Sequence, residues 1–384
     1  MKILHCCLAA FYIDNYSYQE NILPKMHLMQ GYDVEIVAST EIFINNSVIG
    51  YCDSGSYLTS EKIQLTRISY AKWLPHFLSK KLRIYTGLSQ VINSFQPDII
   101  FLHGPQFLGI CEIIGYKKKY PKVTIYADNH TDFINSGKNW ASRILLHGFL
   151  YKWCVKKVIP FTKKFYGVLP IRVQFLKEVY GVPADKVELL ELGADLTNVD
   201  LSHKGDIRKE IRKQLNISEN DLVLITGGKI DKRKNIDLLM QTIIKLNIPD
   251  IKLIVFGTPS EELKDVIEDL SKYENIRNIG WITSESVYNY YLASNLAVFP
   301  GTHSVLWEQA VGTGLPCIFK RWEGMQHVDV GGNCLFYDYE NELEQLILLL
   351  HNNREKLSKM RQIAQERGMK QFSYYDIAKR AIES

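Results

Sequence analysis

The stretch VLITGGKIDKRKNIDLLMQTIIKL, Val223–Leu246, decides the fold. It opens on a continuous apolar run of strand length, Val223–Gly227. It closes on a helical pattern, Asn235–Leu246. The turn between them carries Gly227, Gly228 and four cations: Lys229, Lys232, Arg233 and Lys234. An apolar strand feeding a helix through a short turn belongs in a parallel sheet covered on both faces. The same rhythm recurs along the chain. Strand-length runs at Lys2–Leu8, Val34–Ala38, Ile99–Leu102, Val123–Ala127 and Val187–Leu190 alternate with helical patterns such as Glu20–Met29, Leu82–Ser94 and Ala141–Lys157. Further on, Lys252–Phe256, Ile276–Ile279, Ala297–Phe299 and Cys317–Phe319 alternate with Glu261–Ser271, Ser286–Ala293 and Glu342–His351. Two such series predict an α/β protein of two doubly wound, Rossmann-like domains. The join is expected in the polar, charge-rich stretch Asp195–Asn220. Sheets of this kind bind ligands beyond the carboxyl ends of their strands, so two facing domains would enclose a central cleft.

Composition agrees. A chain of 384 residues with 46% apolar and 23% charged side chains is long enough for two domains, each with its own core. A net charge of +4 does not call for nucleic acid as a partner. The seven cysteines are odd in number and form no C-x-x-C pair. They read as reduced, buried thiols of a cytoplasmic protein rather than as a disulfide framework or a zinc site. The opening MKILHCCLAAFYIDN reads as a first strand, not a signal peptide. No run of about 18 apolar residues predicts a membrane-spanning helix. Neither G-x-G-x-x-G after the first strand nor G-x-x-x-x-G-K-[ST] is present, which argues against a dehydrogenase and a P-loop NTPase.

Two strand ends carry the chemistry. At Gly228–Lys234, glycines admit a ligand close to the backbone, and a helix start favours an anion. Cations at a helix start conflict with its dipole unless an anion joins them. A solvated charged loop is the alternative, and the Gly-Gly pair favours phosphate. The second is FPGTHSVLWEQAVGTGLPC, Phe299–Cys317, where another strand ends in a polar turn. Glu308 follows one turn into a helix. It suits the two vicinal hydroxyls of a sugar. It also suits simple complementation of the helix dipole, worth about 0.3–1 kcal/mol. Spacing leaves these two readings even.

Several motifs together resemble a known family. GGKIDKRKNIDLL resembles the Gly-Arg-Leu-x-x-x-Lys-Gly segment of retaining glycosyltransferases of the GT-B fold, family 4 type, with Lys229 and Lys234 at the two basic positions. VELLELGAD resembles the family's linker motif, matching at Gly193 and Asp195. KLIVFGTPSEE matches at Gly257. IRNIGWITSESVYNYYLASNLAVFP resembles the segment flanking the nucleotide base, around Gly280–Ile282. WEQAVGTGLPCIF resembles the end of the Glu-x7-Glu motif, with Glu308 as the second glutamate.

The resemblance implies a GT-B protein with an N-terminal acceptor domain at 1–197, a C-terminal nucleotide-sugar domain at 198–369, and a last helix, 370–384, packing back on the first. Lys229 and Lys234 would neutralise a donor diphosphate. Gly228, Gly257, Ile282, Thr302, His303, Ser304 and Val305 would line the donor, and Glu308 would hold ribose. His130 would contact the donor sugar. Tyr18, Gln19, His103 and Asp132 would face the acceptor side or the cleft. No metal and no other cofactor is expected, since the two cations take a metal's place. The implied activity is retaining transfer of a hexosyl or N-acetylhexosaminyl group from a nucleotide-diphosphate sugar, UDP favoured, to a glycan or lipid-linked acceptor in surface polysaccharide synthesis. A nucleotide-sugar epimerase of the same fold is one rival. A nucleotide-sugar-binding protein without catalysis is the other.

The sequence departs from the family in three places. Pro300 stands where the first glutamate of Glu-x7-Glu belongs, Lys229 replaces an arginine, and Ser17-Tyr18-Gln19-Glu20 replaces Gly-Gly-Ala-Glu. Lysine keeps the charge but loses the bidentate fork. Two basic, aromatic stretches, Ala71–Leu88 and Lys138–Gly167, suit helices lying on an anionic membrane surface as well as ordinary core helices with a solvated basic face. A cytoplasmic, membrane-peripheral location is the expectation.

Overall fold

The structure is a computed structural model, and it describes residues 1–44, 48–131 and 149–383. Two compact units divide the chain. One is Met1–Glu191 with the residues from Ile377 onward, and the other is Leu192–Asp376. The boundary expected at 197/198 lies inside the second unit in this division. The reason is local: Ala194 N donates to Phe372 O at 2.8 Å and Tyr374 N donates to Ala194 O at 3.1 Å, so the linker residues pair with the second unit's own closing segment.

The first unit's strands are β1 (Lys2–Cys7), β2 (Asp33–Ser39), β3 (Glu41–Ile44), β4 (Val48–Tyr51), β5 (Gly55–Leu58), β6 (Gln64–Ile68), β7 (Ile99–His103), β8 (Thr124–Asn129), β9 (Thr162–Gly167) and β10 (Val187–Leu189). Eight form one sheet in the order β10-β9-β8-β7-β1-β2-β6-β5, parallel except for β5 against β6. The pair β3-β4 is a separate antiparallel hairpin. Every residue of β7 is buried, as expected for a strand covered on both faces. The winding direction reverses between β1 and β7, which brings His5 and His103 to adjacent strands.

The second unit holds β11 (Leu222–Gly227), β12 (Ile251–Phe256), β13 (Ile276–Gly280), β14 (Leu296–Phe299), β15 (Cys317–Lys320) and β16 (Cys334–Tyr337). They form an all-parallel sheet in the order β13-β12-β11-β14-β15-β16. Here the direction reverses between β11 and β14. That switch point sets the Gly228–Lys234 turn beside the Pro300–Val305 turn. Apolar clusters pack both sheet faces: Leu224, Val255 and Ile318 on one, Ile225, Ile254 and Phe319 on the other.

Some elements differ from their sequence reading. The pattern Leu82–Ser94 is two helices, His76–Leu82 and Leu88–Phe95, separated by Arg83 at φ 51° and Gly87 at φ 104°. The basic stretch Lys138–Gly167 is not one helix. Its described part contains the helix Lys152–Val158 and then β9, where Phe165 and Tyr166 are buried between β8 and β10. Residues 138–148 of that stretch lie outside the described residues. The cysteines are all free, and Cys111 is exposed.

The last helix spans Tyr374–Glu383. From Ile377 onward it belongs to the first unit, where Tyr126 Oη donates to Ile382 O at 2.7 Å. Tyr126→Phe removes a buried hydrogen bond and leaves that carbonyl without its donor. We expect a loss of about 1 kcal/mol in urea unfolding of the whole chain.

Candidate functional site

In the second unit, β11 ends at Gly227 and the chain turns through Gly228 at φ 108°. β12 ends beside it in Gly257 at φ 121°. A Cβ on Gly257 would lie 1.8 Å from Gly228 O, so side-chain-free residues let the two turns meet. The charge run then sorts itself. Arg233 is bonded to Asp231 at 2.7 Å and Lys232 lies 3.1 Å from Glu262. Lys229 and Lys234 have no carboxylate within ion-pair distance among the described residues. Lys229 is exposed. Lys234 is half-buried and donates to Thr302 O at 2.7 Å and His303 O at 2.9 Å. Burial lowers its ammonium to about 8, opposed by the Asp231 carboxylate and helped by the Arg233 charge. The two cations singled out by the family resemblance are therefore the two of the four without a carboxylate in ion-pair contact among the described residues.

The opposite wall is the turn after β14. Gly301 lies against the lysine turn so closely that a Cβ would stand 2.2 Å from Arg233 O. Thr302 N donates to Arg233 O at 2.9 Å, and Asn235 Nδ2 donates to Pro300 O at 3.2 Å. Pro300, in place of a glutamate, thus contributes its carbonyl to the joint between the turns. Ser304 and Val305 donate to no backbone carbonyl among the described residues. The short helix Leu306–Gly312 follows.

Glu308 is fully buried. His303 Nε2 donates to its Oε1 at 2.8 Å and lies 3.1 Å from Oε2, and His327 Nε2 donates to Oε1 at 2.8 Å. Burial alone would raise this carboxyl, but the charges and hydrogen bonds of His303 and His327 overcome it and hold it at about 2. The sequence reading left both Glu308 oxygens to a sugar diol. In the structure Oε1 is already taken twice, and Oε2 is the oxygen with capacity left. Ile282 is half-buried against the second unit's core.

In the first unit, β8 ends in Asp128 and Asn129, with His130 next. Asp128 is fully buried and accepts from His103 Nδ1 at 2.8 Å. His130 Nε2 lies 3.5 Å from Asp128 Oδ2 and 3.7 Å from Glu20 Oε1. Burial works against a charged His130, yet the carboxylates of Glu20 and Asp128 raise it above its ordinary value. For Asp128, burial opposes ionisation, and His103 and His130 together hold it below the usual carboxylate range. Tyr18 is exposed and stacked on Tyr16, with ring centroids 5.3 Å apart. Gln19 is buried, and neither amide atom has a partner among the described residues. Asp132 lies outside the described residues.

Two trios among the described residues, His103–Asp128–His130 and His303–Glu308–His327, bring ligand-type atoms within 4.8 Å of one another. Metal bonds of about 2.0–2.1 Å in a tetrahedral site keep ligands roughly 3.3 Å apart. The 2.8 Å contacts in both trios are instead hydrogen bonds. Sequence reasoning missed Glu20, Asp128, Gly301 and His327 as site residues. The first three lie within or beside motifs that could have drawn attention to them. His327 reaches Glu308 purely through the fold.

Comparison with known proteins follows this geometry. Residues 207–367 match the model of the family Glycosyl transferases group 1. Over residues 207–367 the chain is similar to a group 1 glycosyl transferase domain. It is 24% identical over 260 residues to the alpha-monoglucosyldiacylglycerol synthase of Streptococcus pneumoniae, covering 64% of this chain and 57% of that protein. It is 29% identical over 140 residues to the lipopolysaccharide 1,2-N-acetylglucosaminetransferase of Salmonella typhimurium, covering 33% of this chain and 36% of that one. The chain thus spans about half the length, or less, of these curated relatives. Among solved structures, Anabaena Alr3699/HepE in complex with UDP superposes with a TM-score of 0.68 at 13% identity, over 99% of this chain and 98% of that one. At that identity the likeness is one of fold, and the fold is GT-B. The group 1 domain contains every donor-side residue named above, from Gly228 to Glu308.

Proposed function

We propose that this chain transfers a sugar from a nucleotide-diphosphate sugar, UDP favoured, to a glycan or lipid-linked acceptor, with retention at the anomeric carbon. The observation that carries the reading is the pair Lys229 and Lys234: two cations at the switch point of a parallel sheet, one of them desolvated, neither in ion-pair contact with a carboxylate among the described residues. A diphosphate completes that arrangement. The Ser304 and Val305 N–H groups supply further donors, and Glu308 Oε2 takes a ribose hydroxyl. In the reaction, the bond between anomeric carbon and phosphate oxygen breaks, and its electron pair stays on the diphosphate. Lys229 and Lys234 stabilise that growing charge. The acceptor oxygen bonds the anomeric carbon on the same face, and its proton passes to the departing phosphate. The step needs neither a protein base nor a divalent metal. His130, whose proton affinity the Glu20 and Asp128 carboxylates raise against burial, is assigned to a donor-sugar hydroxyl.

The names of the relatives support the acceptor class, since one makes a glycolipid and the other acts on lipopolysaccharide. No described helix is long and apolar enough to cross a membrane. Trp73 and Phe77 are 72% and 62% exposed, near the exposed Lys72 and Lys81 in sequence. This surface supports peripheral contact with the inner face of a membrane.

Lysine deprotonation tests the reading. A lowered ammonium at about 8 is charged below that pH and neutral above it. We expect kcat/KM for the donor to fall by about tenfold per pH unit on the alkaline side of about 8. Lys234→Arg is expected to move that limb beyond the measurable range. A flat profile in the parent to pH 9.5 would remove Lys234 from the diphosphate site. Donor consumption without acceptor, with sugar isomerisation as the product, would instead favour an epimerase.

A further inference from the structure

The first unit contains a continuous buried line of hydrogen bonds. His27 Nε2 meets Ala378 O at 2.8 Å. His27 Nδ1 meets His5 Nε2 at 3.0 Å. His5 Nδ1 meets His103 Nε2 at 2.9 Å. His103 Nδ1 meets Asp128 Oδ2 at 2.8 Å. All three rings and the carboxylate are fully buried. Each ring uses both nitrogens, so none has a spare position for water.

Counting protons decides the state of this line. Four hydrogen bonds need four protons. A backbone carbonyl and a carboxylate, the two ends, are both acceptors and supply none. Three neutral imidazoles carry three N–H protons in total. Starting from Ala378, the carbonyl requires His27 to donate from Nε2 and accept at Nδ1. His5 must then donate from Nε2 and accept at Nδ1. His103 must donate from Nε2, which leaves a neutral His103 with a bare Nδ1 facing a carboxylate. That contact is repulsive at 2.8 Å, so a fourth proton belongs there.

We propose that His27, His5 and His103 form a buried relay holding one proton more than three neutral rings, and that this proton fixes Asp128 as an anion facing His130. The extra positive charge and the carboxylate cancel, so the line is neutral as a whole and tolerates burial. The charge resides mainly on the ring beside Asp128. Burial and the neighbouring histidines push His5 well below its usual value, and burial pushes His27 to about 4 although the Ala378 carbonyl opposes it. The other ionisable groups facing the line are Cys7 on β1, Glu20 on the helix Gln19–Met29, and Arg172 on the helix Pro170–Glu178, the last two acting on His130. His103, His5 and His27 are thus positioning residues. They act through Asp128 on His130. Only the assignment of His130 to a sugar rests on the function proposed above.

The experiment uses the full chain with ring-labelled 15N histidine and no donor or acceptor, so its outcome is independent of sugar transfer. At pH 7.5, one buried ring among the ten histidines is expected to show both nitrogens protonated and both protons slow to exchange. His27→Gln keeps the polarity, because its amide donates to Ala378 O and its carbonyl accepts from His5. The signal should persist. His27→Phe removes two of the four bonds, and the remaining two need only the two protons of neutral His5 and His103. The signal should vanish, although the substitution lies at the far end from Asp128. Asp128→Asn should also abolish it, since an amide N–H can donate to His103 Nδ1, and the His130 titration should fall because a carboxylate that raises it is gone. Three neutral rings in the parent protein overturn the proposal. So does an imidazolium that survives in folded His27→Phe or Asp128→Asn. Should those two variants fail to fold, the parent and His27→Gln spectra decide.

Discussion

Lys234→Ala is expected to cut donor turnover by roughly 10²–10³-fold, about 3–4 kcal/mol of transition-state stabilisation, the scale seen when one preorganised donor to a developing oxyanion is removed. Lys234 earns this weight through its surroundings. It is half-buried, its ammonium is anchored on Thr302 O and His303 O, and no carboxylate among the described residues lies within ion-pair distance of it. Its charge therefore acts where water screens it little. Lys229 is exposed, and its alanine variant is expected to lose less, on the order of tenfold. The loss in Lys234→Ala should fall mainly on kcat, with KM changed less, because the diphosphate charge grows as the bond breaks. Steady-state kinetics of nucleotide release with the best available donor checks this. Equal turnover in parent and variant would refute the diphosphate role.

Glu308→Ala is expected to destabilise the protein by roughly 3–5 kcal/mol, the usual cost of breaking a buried, hydrogen-bonded charge pair. His303 and His327 would lose their shared acceptor, and both are largely enclosed. The deficit should depend on pH with a definite sign. The folded carboxyl is held at about 2 against an ordinary 4.5. Its stabilising contribution is therefore complete above pH 4.5 and lost as pH falls through 2. The difference between parent and variant in denaturant melts should accordingly shrink on acidification below 4.5. Glu308→Gln keeps one acceptor oxygen and should recover part of the stability. If the side chain also holds ribose, both variants lose nucleotide affinity. If it does not, Glu308→Gln binds the nucleotide like the parent.

The fold was largely legible because its signal is repetitive. Apolar runs such as Val223–Gly227 and Ile99–Leu102 have strand length and lie in parallel sheets, where burial on both faces removes alternation. The edges were harder. β5 and the β3-β4 hairpin are short and mostly exposed, so no apolar run marks them. β9 carries Lys163 and Lys164 and was read into a basic helix. At the site, Lys229, Lys234 and Glu308 sit in local motifs whose chemistry follows from their neighbours in sequence. His327 and the His5–His27–His103 line do not. Their partners are distant along the chain, and a histidine in an apolar run looks the same whether it is idle or paired. The turn geometry around Pro300 was legible only as an anomaly. Its use, a carbonyl that ties Asn235 and so joins two strand ends, is a backbone property that residue type does not announce.

The discontinuity of the first unit also sets an order of assembly. The second unit is one contiguous stretch, Leu192–Asp376, and its core can close while the ribosome is still adding residues. The first unit cannot. Its sheet lacks the helix segment that begins at Ile377, and His27 waits for a carbonyl made 351 residues later. At about 5–20 residues per second, that interval lasts tens of seconds. For that time the face that will receive the helix is open to solvent and to other chains. The domain synthesised first is the domain completed last, and any truncation before Ala378 leaves it permanently in that nascent state.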